Sequence, residues 1–176
     1  MATKQQSKKE DDKILSQFVK EAKRERTIDT SKNFFFYFVA LLTTFLPSYL
    51  FQGVLNLEFS GATIVLYLAV SSASAYFLSK AYVFYYLRKK PVLSDSYEKV
   101  LSSSKGAIKK GLGEKEKLAD LGATGHALFI SNVIFFAIAL FLSFYSLKRL
   151  DVRINYIASL TLASLATNYI SKPRNK

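Results

Sequence analysis

Lysine and arginine are the residues of this sequence with the clearest binding chemistry. They are concentrated in a polar stretch of 33 residues, 88–120, which carries nine basic and five acidic side chains. Their ammonium and guanidinium groups can bind the phosphates of RNA, anionic lipid headgroups or acidic protein surfaces. The candidate contact residues are therefore the basic ones of this stretch: Arg88, Lys89, Lys90, Lys99, Lys105, Lys109, Lys110, Lys115 and Lys117.

The side chains needed for catalysis or metal binding are largely missing. The sequence has no cysteine and a single histidine, His126, so a zinc site with the usual ligands is not expected. The long apolar runs contain no Asp, Glu, Lys or Arg, which leaves no proton relay or ion pair within them. The glycines lack the spacing of a phosphate-binding loop. We therefore expect a protein that is not an enzyme and binds no cofactor.

Four apolar runs flank the basic stretch in pairs. A segregation of charge into blocks between uncharged runs is typical of membrane proteins, and each run is close to the length that crosses a bilayer as a helix. The predicted spans cover residues 33–57, 60–79, 121–147 and 154–171. Because the links within each pair are short, the sequence predicts an all-α membrane protein whose four transmembrane helices form two hairpins.

Small and polar residues within the spans predict how the helices pack. Small side chains allow close approach, so we expect packing faces at Ser71 and Ala75 in span two and at Ser159 and Ala163 in span four. Interhelical hydrogen bonds are expected from the small polar residues Asn132, Ser143 and Asn168. An aromatic belt at the membrane interface is predicted from Tyr82, Phe84, Tyr85 and Tyr86, which precede the basic residues 88–90.

The basic insert is expected to form a helical hairpin of its own. Pro91 should interrupt the helix that leaves the membrane, with Ser94 or Asp95 as the next N-cap, and glycines 111 and 113 should end that helix. A second helical stretch, EKEKLAD, then leads into span three. Before span one, apolar residues spaced by three and four within 11–26 predict an amphipathic helix, which packs on its own protein or lies on lipid headgroups.

The distribution of basic residues predicts the orientation in the membrane. The two tails, Lys80 and the insert carry 22 Lys and Arg, whereas the two short links carry three. Basic residues are retained on the cytosolic side, so both termini and the insert should be cytosolic. The predicted parts are a tail with the amphipathic helix (1–32), hairpin one (33–87), the cytosolic insert (88–120), hairpin two (121–171) and a tail (172–176).

Several segments resemble the gamma-subunit family of the translocon-associated protein complex, also called the signal sequence receptor. They are EDDKILSQF, the aromatic entry FFFYF, LADLGATGHALFISN and NYIASLTLAS. The strongest similarities are at Ala119, Asp120, Ala123, Thr124 and Asn132 near span three, and at Asn155, Tyr156 and Ile157 in span four. The resemblance extends over nearly the whole chain.

The resemblance implies a non-catalytic, multi-pass subunit of the endoplasmic-reticulum membrane. Its implied partners are the other subunits of the complex, the Sec protein-conducting channel, membrane lipids, and the ribosome, whose RNA and proteins would meet the basic cytosolic part. An alternative from the residues alone is a four-span protein that shapes membranes or acts in trafficking, with its amphipathic helix and hairpins acting on the bilayer itself.

Overall fold

A computed structural model describes residues 28–55, 60–102 and 111–172. The chain divides into two units, 1–32 and 33–176. Of the first unit the structure describes residues 28–32, where the Lys32 amide donates to the Asp29 carbonyl at 3.0 Å. The predicted N-terminal amphipathic helix lies outside the described residues. The helices are α1 (Thr30–Gly53), α2 (Gly61–Ser102), α3 (Gly111–Phe141), a π-helical turn (Leu142–Ser146) and α4 (Val152–Ser171).

Helix α1 has one face toward the protein interior and one apolar face outward. Its buried side chains recur every three or four residues, as in Phe36, Ala40, Thr44, Ser48 and Phe51. The outward face is no more polar than the buried one, with exposed phenylalanine and leucine side chains along its length: Phe34, Phe38, Leu42, Phe45 and Leu46. A helix that is apolar all round is typical of one that lies in lipid.

Helix α2 continues without interruption for 42 residues, about 63 Å. The prediction that Pro91 stops the helix, with Ser94 or Asp95 as a new N-cap, is wrong. Pro91 has no backbone N–H, so the helix loses one hydrogen bond and the carbonyl four residues earlier loses its donor. Because Pro91 is exposed, water can bond that carbonyl instead. The insert therefore starts as a direct extension of the membrane helix.

Helix α3 begins at Gly111, so the prediction that Gly111 and Gly113 end a helix is also wrong. The stretch EKEKLAD is part of α3 and continues into the apolar run, as expected. At the far end the helix widens into the π-helical turn, where the Leu147 amide donates to the Leu142 carbonyl at 2.8 Å.

Helix α4 follows a short link and is capped by Asp151, whose carboxylate accepts from the Arg153 amide at 2.9 Å. Helix α2 packs against both α3 and α4, and α3 packs against α4. Alanines at the contacts, such as Ala75, Ala123 and Ala163, are fully buried and permit close approach.

Within residues 28–55, 60–102 and 111–172, three helical segments are long and apolar enough to cross a membrane: Thr30–Gly53, Gly61–Tyr97 and Glu116–Ser146, of 24, 37 and 31 residues. Within the described part of the chain the secondary structure is helical, without strands. The all-α membrane class is therefore confirmed. The fourth predicted span corresponds to α4, which is not among these three segments, and the four-span arrangement stays a prediction.

Candidate interaction site

The basic residues at the foot of the insert lie where α2 and α3 leave the apolar region side by side. Lys90 of α2 faces two carboxylates of α3, with its Nζ 4.0 Å from Glu116 Oε1 and 3.9 Å from Asp120 Oδ1. The Tyr86 hydroxyl donates to Asp120 as well. These contacts connect the two helices, so Lys90 serves the protein's own structure as well as its surface.

Side-chain contacts at Gly122 of α3 add to this connection one turn further along α2. A Cβ atom at Gly122 would lie 3.3 Å from Leu93 Cδ1 and 3.8 Å from the Tyr97 hydroxyl. The missing side chain at Gly122 therefore leaves room for the Leu93 and Tyr97 side chains of the α2 extension. The foot of the insert is held by packing, by an ion pair and by a hydrogen bond together.

The other predicted contact residues differ in what the structure says of them. Arg88 and Lys117 are exposed, and Lys89 and Lys90 are half-buried. The Arg88 guanidinium lies 5.0 Å from the centre of the Tyr85 ring, within the range of a cation–π contact. Lys99 lies in α2 and Lys115 in α3. Three of the predicted contact residues lie outside the described residues: Lys105, Lys109 and Lys110.

The predicted packing residues are all buried between helices of this chain. Ser71 and Ala75 lie in α2, Ser159 and Ala163 in α4. The Ser71 hydroxyl lies 3.3 Å from the Thr44 carbonyl of α1 and 3.2 Å from the Tyr156 hydroxyl of α4. In the other direction, the Thr44 hydroxyl donates to the Ser71 carbonyl at 3.0 Å. Ser71 therefore joins three helices.

The predicted aromatic belt is wrong for three of its four members. Tyr82, Tyr85 and Tyr86 are buried in the protein, whereas Phe84 is half-buried. The Tyr82 hydroxyl donates to Asn132 of α3 at 2.5 Å. Periodicity could have indicated this, because Tyr82 and Tyr86 are four residues apart on the face that carries Ala75 and Leu78.

Polar side chains join the helices elsewhere too. The predicted interhelical bonds of Asn132 and Asn168 are confirmed, the second through donation from Asn168 Nδ2 to the Phe77 carbonyl at 3.0 Å. The Ser143 hydroxyl instead bonds within its own segment, while its carbonyl accepts from Asn155 Nδ2 at 2.9 Å. Nothing in the sequence pattern marks Asn155 as a helix-joining residue, because the π-helical turn that presents this carbonyl has no recognised sequence signal.

Among the described residues, no group of three or more His, Asp or Glu side chains could hold a metal ion. What the described residues offer is a continuous helical extension that carries basic residues beyond the apolar helices. Residues 10–172 match the profile of the family described as "Translocon-associated protein, gamma subunit (TRAP-gamma)". Since this match covers nearly all of the 176 residues, the chain belongs to the gamma-subunit family of the translocon-associated protein.

Proposed function

We propose that this chain is a non-catalytic subunit of the translocon-associated complex in the endoplasmic-reticulum membrane. In that position it docks on the ribosome through its basic cytosolic part and assists co-translational translocation beside the Sec channel. The observation that carries the proposal is the family match over residues 10–172. The family is a non-enzymatic, translocon-associated one. The long apolar helices of this chain agree with a location in the membrane.

The geometry of the insert supports a docking role. Helix α2 is about twice as long as the hydrocarbon core is thick, so one end of it extends well into the aqueous phase. The contacts of Lys90, Tyr86 and Gly122 hold that end against α3. A held extension loses little conformational freedom when it binds, which favours docking on a large rigid particle.

We further propose that α4 is the fourth membrane span. Its polar residues face the protein: Asn155, Ser159, Ser164, Thr167, Asn168 and Ser171 are all buried. Its outward face is apolar, with exposed Ile154, Ile157, Leu162, Leu165 and Ile170. In a helix on a water-facing surface this pattern would be reversed. The polar residues that lower the average hydropathy of α4 therefore lie on its buried face, which lipid does not contact.

The charge asymmetry supports the orientation in this proposal. With 22 basic residues in the tails, at Lys80 and in the insert, against three in the links, both termini and the insert face the cytosol. The predicted contact residues would then stand on the ribosome's side of the membrane.

The ribosome contact is tested by changing charge in the insert. Replacing Lys99, Lys105, Lys109 and Lys110 with Glu should weaken sedimentation of the detergent-solubilised complex with ribosomes. It should also make binding less dependent on salt, because each phosphate contact contributes roughly 0.7–0.9 to the slope with which the logarithm of the binding constant falls against the logarithm of the salt concentration. The matched control replaces the same four with Arg, which keeps the charge and should bind nearly as well. Equal binding of the Glu and Arg variants would contradict a phosphate contact at these lysines.

A further inference from the structure

Three nitrogen-bearing side chains lie at one level of the helix pair near the membrane boundary. Helices α2 and α3 run in opposite directions, and Leu93 of α2 lies against Gly122 of α3. Lys89 is one turn before Leu93 and His126 is one turn after Gly122, so these two residues lie at the same level on neighbouring helices, and Arg88 is next to Lys89. Arg88 is exposed, and Lys89 and His126 are half-buried. All three side chains therefore retain access to the outside.

The positive charges at this place have no counter-charge among the residues that the structure describes. The nearby carboxylates of α3, Glu116 and Asp120, face Lys90. Arg88 rests on the Tyr85 ring instead of a carboxylate. Arg88 and Lys89 therefore leave a local excess of positive charge that a bound anion would neutralise.

The cluster lies at the depth of the lipid headgroups. About 30 Å of helix separate His126 from the end of the π-helical turn at Ser146, which equals the thickness of the hydrocarbon core. From His126 toward that end, the outer face of α3 exposes Phe129 and Val133. Nitrogen donors therefore stand directly above an apolar surface that lipid chains can cover.

We propose that Arg88, Lys89 and His126 bind the phosphate of an anionic phospholipid in the leaflet that faces the insert, with its acyl chains lying along Phe129 and Val133. A guanidinium can bind a phosphate through two parallel hydrogen bonds, an ammonium adds a compact charge, and an imidazole adds an N–H donor. The cytosolic leaflet supplies anionic headgroups. The assignment to that leaflet rests on the orientation under the proposed function.

A lipid fits this site better than RNA because of the apolar surface that continues from it. An RNA phosphate would leave Phe129 and Val133 unused and would have to reach the headgroup layer. The distal lysines of the insert, such as Lys99, stand further along α2 from the apolar region. The two kinds of phosphate would then meet different parts of one basic surface.

The test measures lipid retention by the full chain. The protein is placed in nanodiscs of phosphatidylcholine with a minor fraction of phosphatidylinositol, released into mild detergent, and examined by native mass spectrometry. The wild type should keep one phosphatidylinositol, and Arg88→Gln/Lys89→Gln should reduce its occupancy by at least about tenfold, because charge-assisted bonds are lost. The matched control, Lys148→Gln/Arg149→Gln, removes the same charge at the opposite end and should retain the lipid.

A second variant separates charge from folding. Arg88→Lys/Lys89→Arg keeps both charges and should keep the lipid, whereas a loss as large as that of the Gln variant would contradict a phosphate site. Equal loss in the Lys148/Arg149 control would show attraction by net charge alone and would overturn the site. So would full displacement by millimolar soluble glycerophosphate, which would show that the acyl chains contribute nothing. The Gln variant could also keep the lipid and lose sedimentation with ribosomes. That result would assign Arg88 and Lys89 to RNA binding, and it would overturn the lipid site while leaving the proposed ribosome contact in place.

Discussion

Single hydroxyl and amide groups join the helices of this protein in a region where its described spans are otherwise apolar. Tyr156 is the largest example. The centre of its ring lies 5.0 Å from that of Phe51 and 4.9 Å from that of Tyr67, and its hydroxyl lies 3.2 Å from Ser71 Oγ. In an apolar medium the hydrophobic effect does not bring helices together, so ring packing and such hydrogen bonds determine which faces meet. A buried tyrosine of this kind specifies one arrangement of three helices.

Tyr156→Phe should therefore lower stability modestly. The ring packing remains and one buried hydrogen bond is lost, so the free energy of unfolding should fall by about 0.5–1.5 kcal/mol. Thermal unfolding in mild detergent, followed by circular dichroism, measures the change. Tyr169→Phe is the control on the same helix, because Tyr169 is 75% exposed and its hydroxyl should matter little. Equal effects of the two substitutions would show that the Ser71 contact stabilises nothing.

The residue types predict that hydrogen bonds join the helices. They predict only some of the residues that make these bonds. Asn132 and Asn168 are amides within apolar runs, which predicts that they join helices, and both do so. Tyrosine is ambiguous, because its ring and hydroxyl suit both a membrane interface and a buried contact. Its place in the sequence therefore predicts Tyr82 at the interface, although its side chain is fully buried.

At the scale of the helices, α2 determines how the membrane part and the insert are related. A break at Pro91 would let the insert swing freely, whereas the observed continuous helix fixes its direction. Local rules favoured the break because proline cannot donate the backbone bond. Packing of Leu93 and Tyr97 near Gly122 offsets that loss, and sequence alone does not show which residues of α3 lie opposite.

Pro91→Ala should stabilise the protein if the helix continues through this position. Alanine restores the missing N–H and removes the steric conflict, so stability should rise by up to about 3 kcal/mol. The midpoint of thermal unfolding in detergent measures it. Val92→Ala, at an exposed position in the same turn, serves as the control and should have little effect. A loss of stability in Pro91→Ala would mean that the chain needs a break here.

Among the described residues, hydropathy identifies three membrane segments and does not include α4. Its buried face is rich in Ser, Thr and Asn, which lowers the average over the whole helix. The charge-free run 154–171 nevertheless predicted a span there. Packing against α2 and α3 determines which side of α4 faces lipid. A single sequence does not show which helices pack together.

At the scale of the whole molecule, the proposed topology makes a direct prediction about access. In sealed microsomes, a membrane-impermeant thiol reagent should label an engineered Cys at Thr3 or Ser103 and should not label one at Asn56 or Asp151 until detergent is added. The natural sequence has no cysteine, so the background is low. Labelling at Asp151 before detergent is added would contradict four spans with cytosolic termini, because it would place the link between α3 and α4 on the outside.

The measurement that tests the central claim most directly is co-purification of the tagged chain from endoplasmic-reticulum membranes in mild detergent, with the recovered proteins identified by mass spectrometry. A subunit of the translocon-associated complex should bring with it the other subunits of that complex, Sec channel subunits and ribosomes. A tagged, unrelated four-span protein of the same membrane controls for non-specific recovery. Recovery of the chain mainly with further copies of itself, and without translocon or ribosomal components above that control, would contradict the account and favour a protein that acts on the bilayer alone.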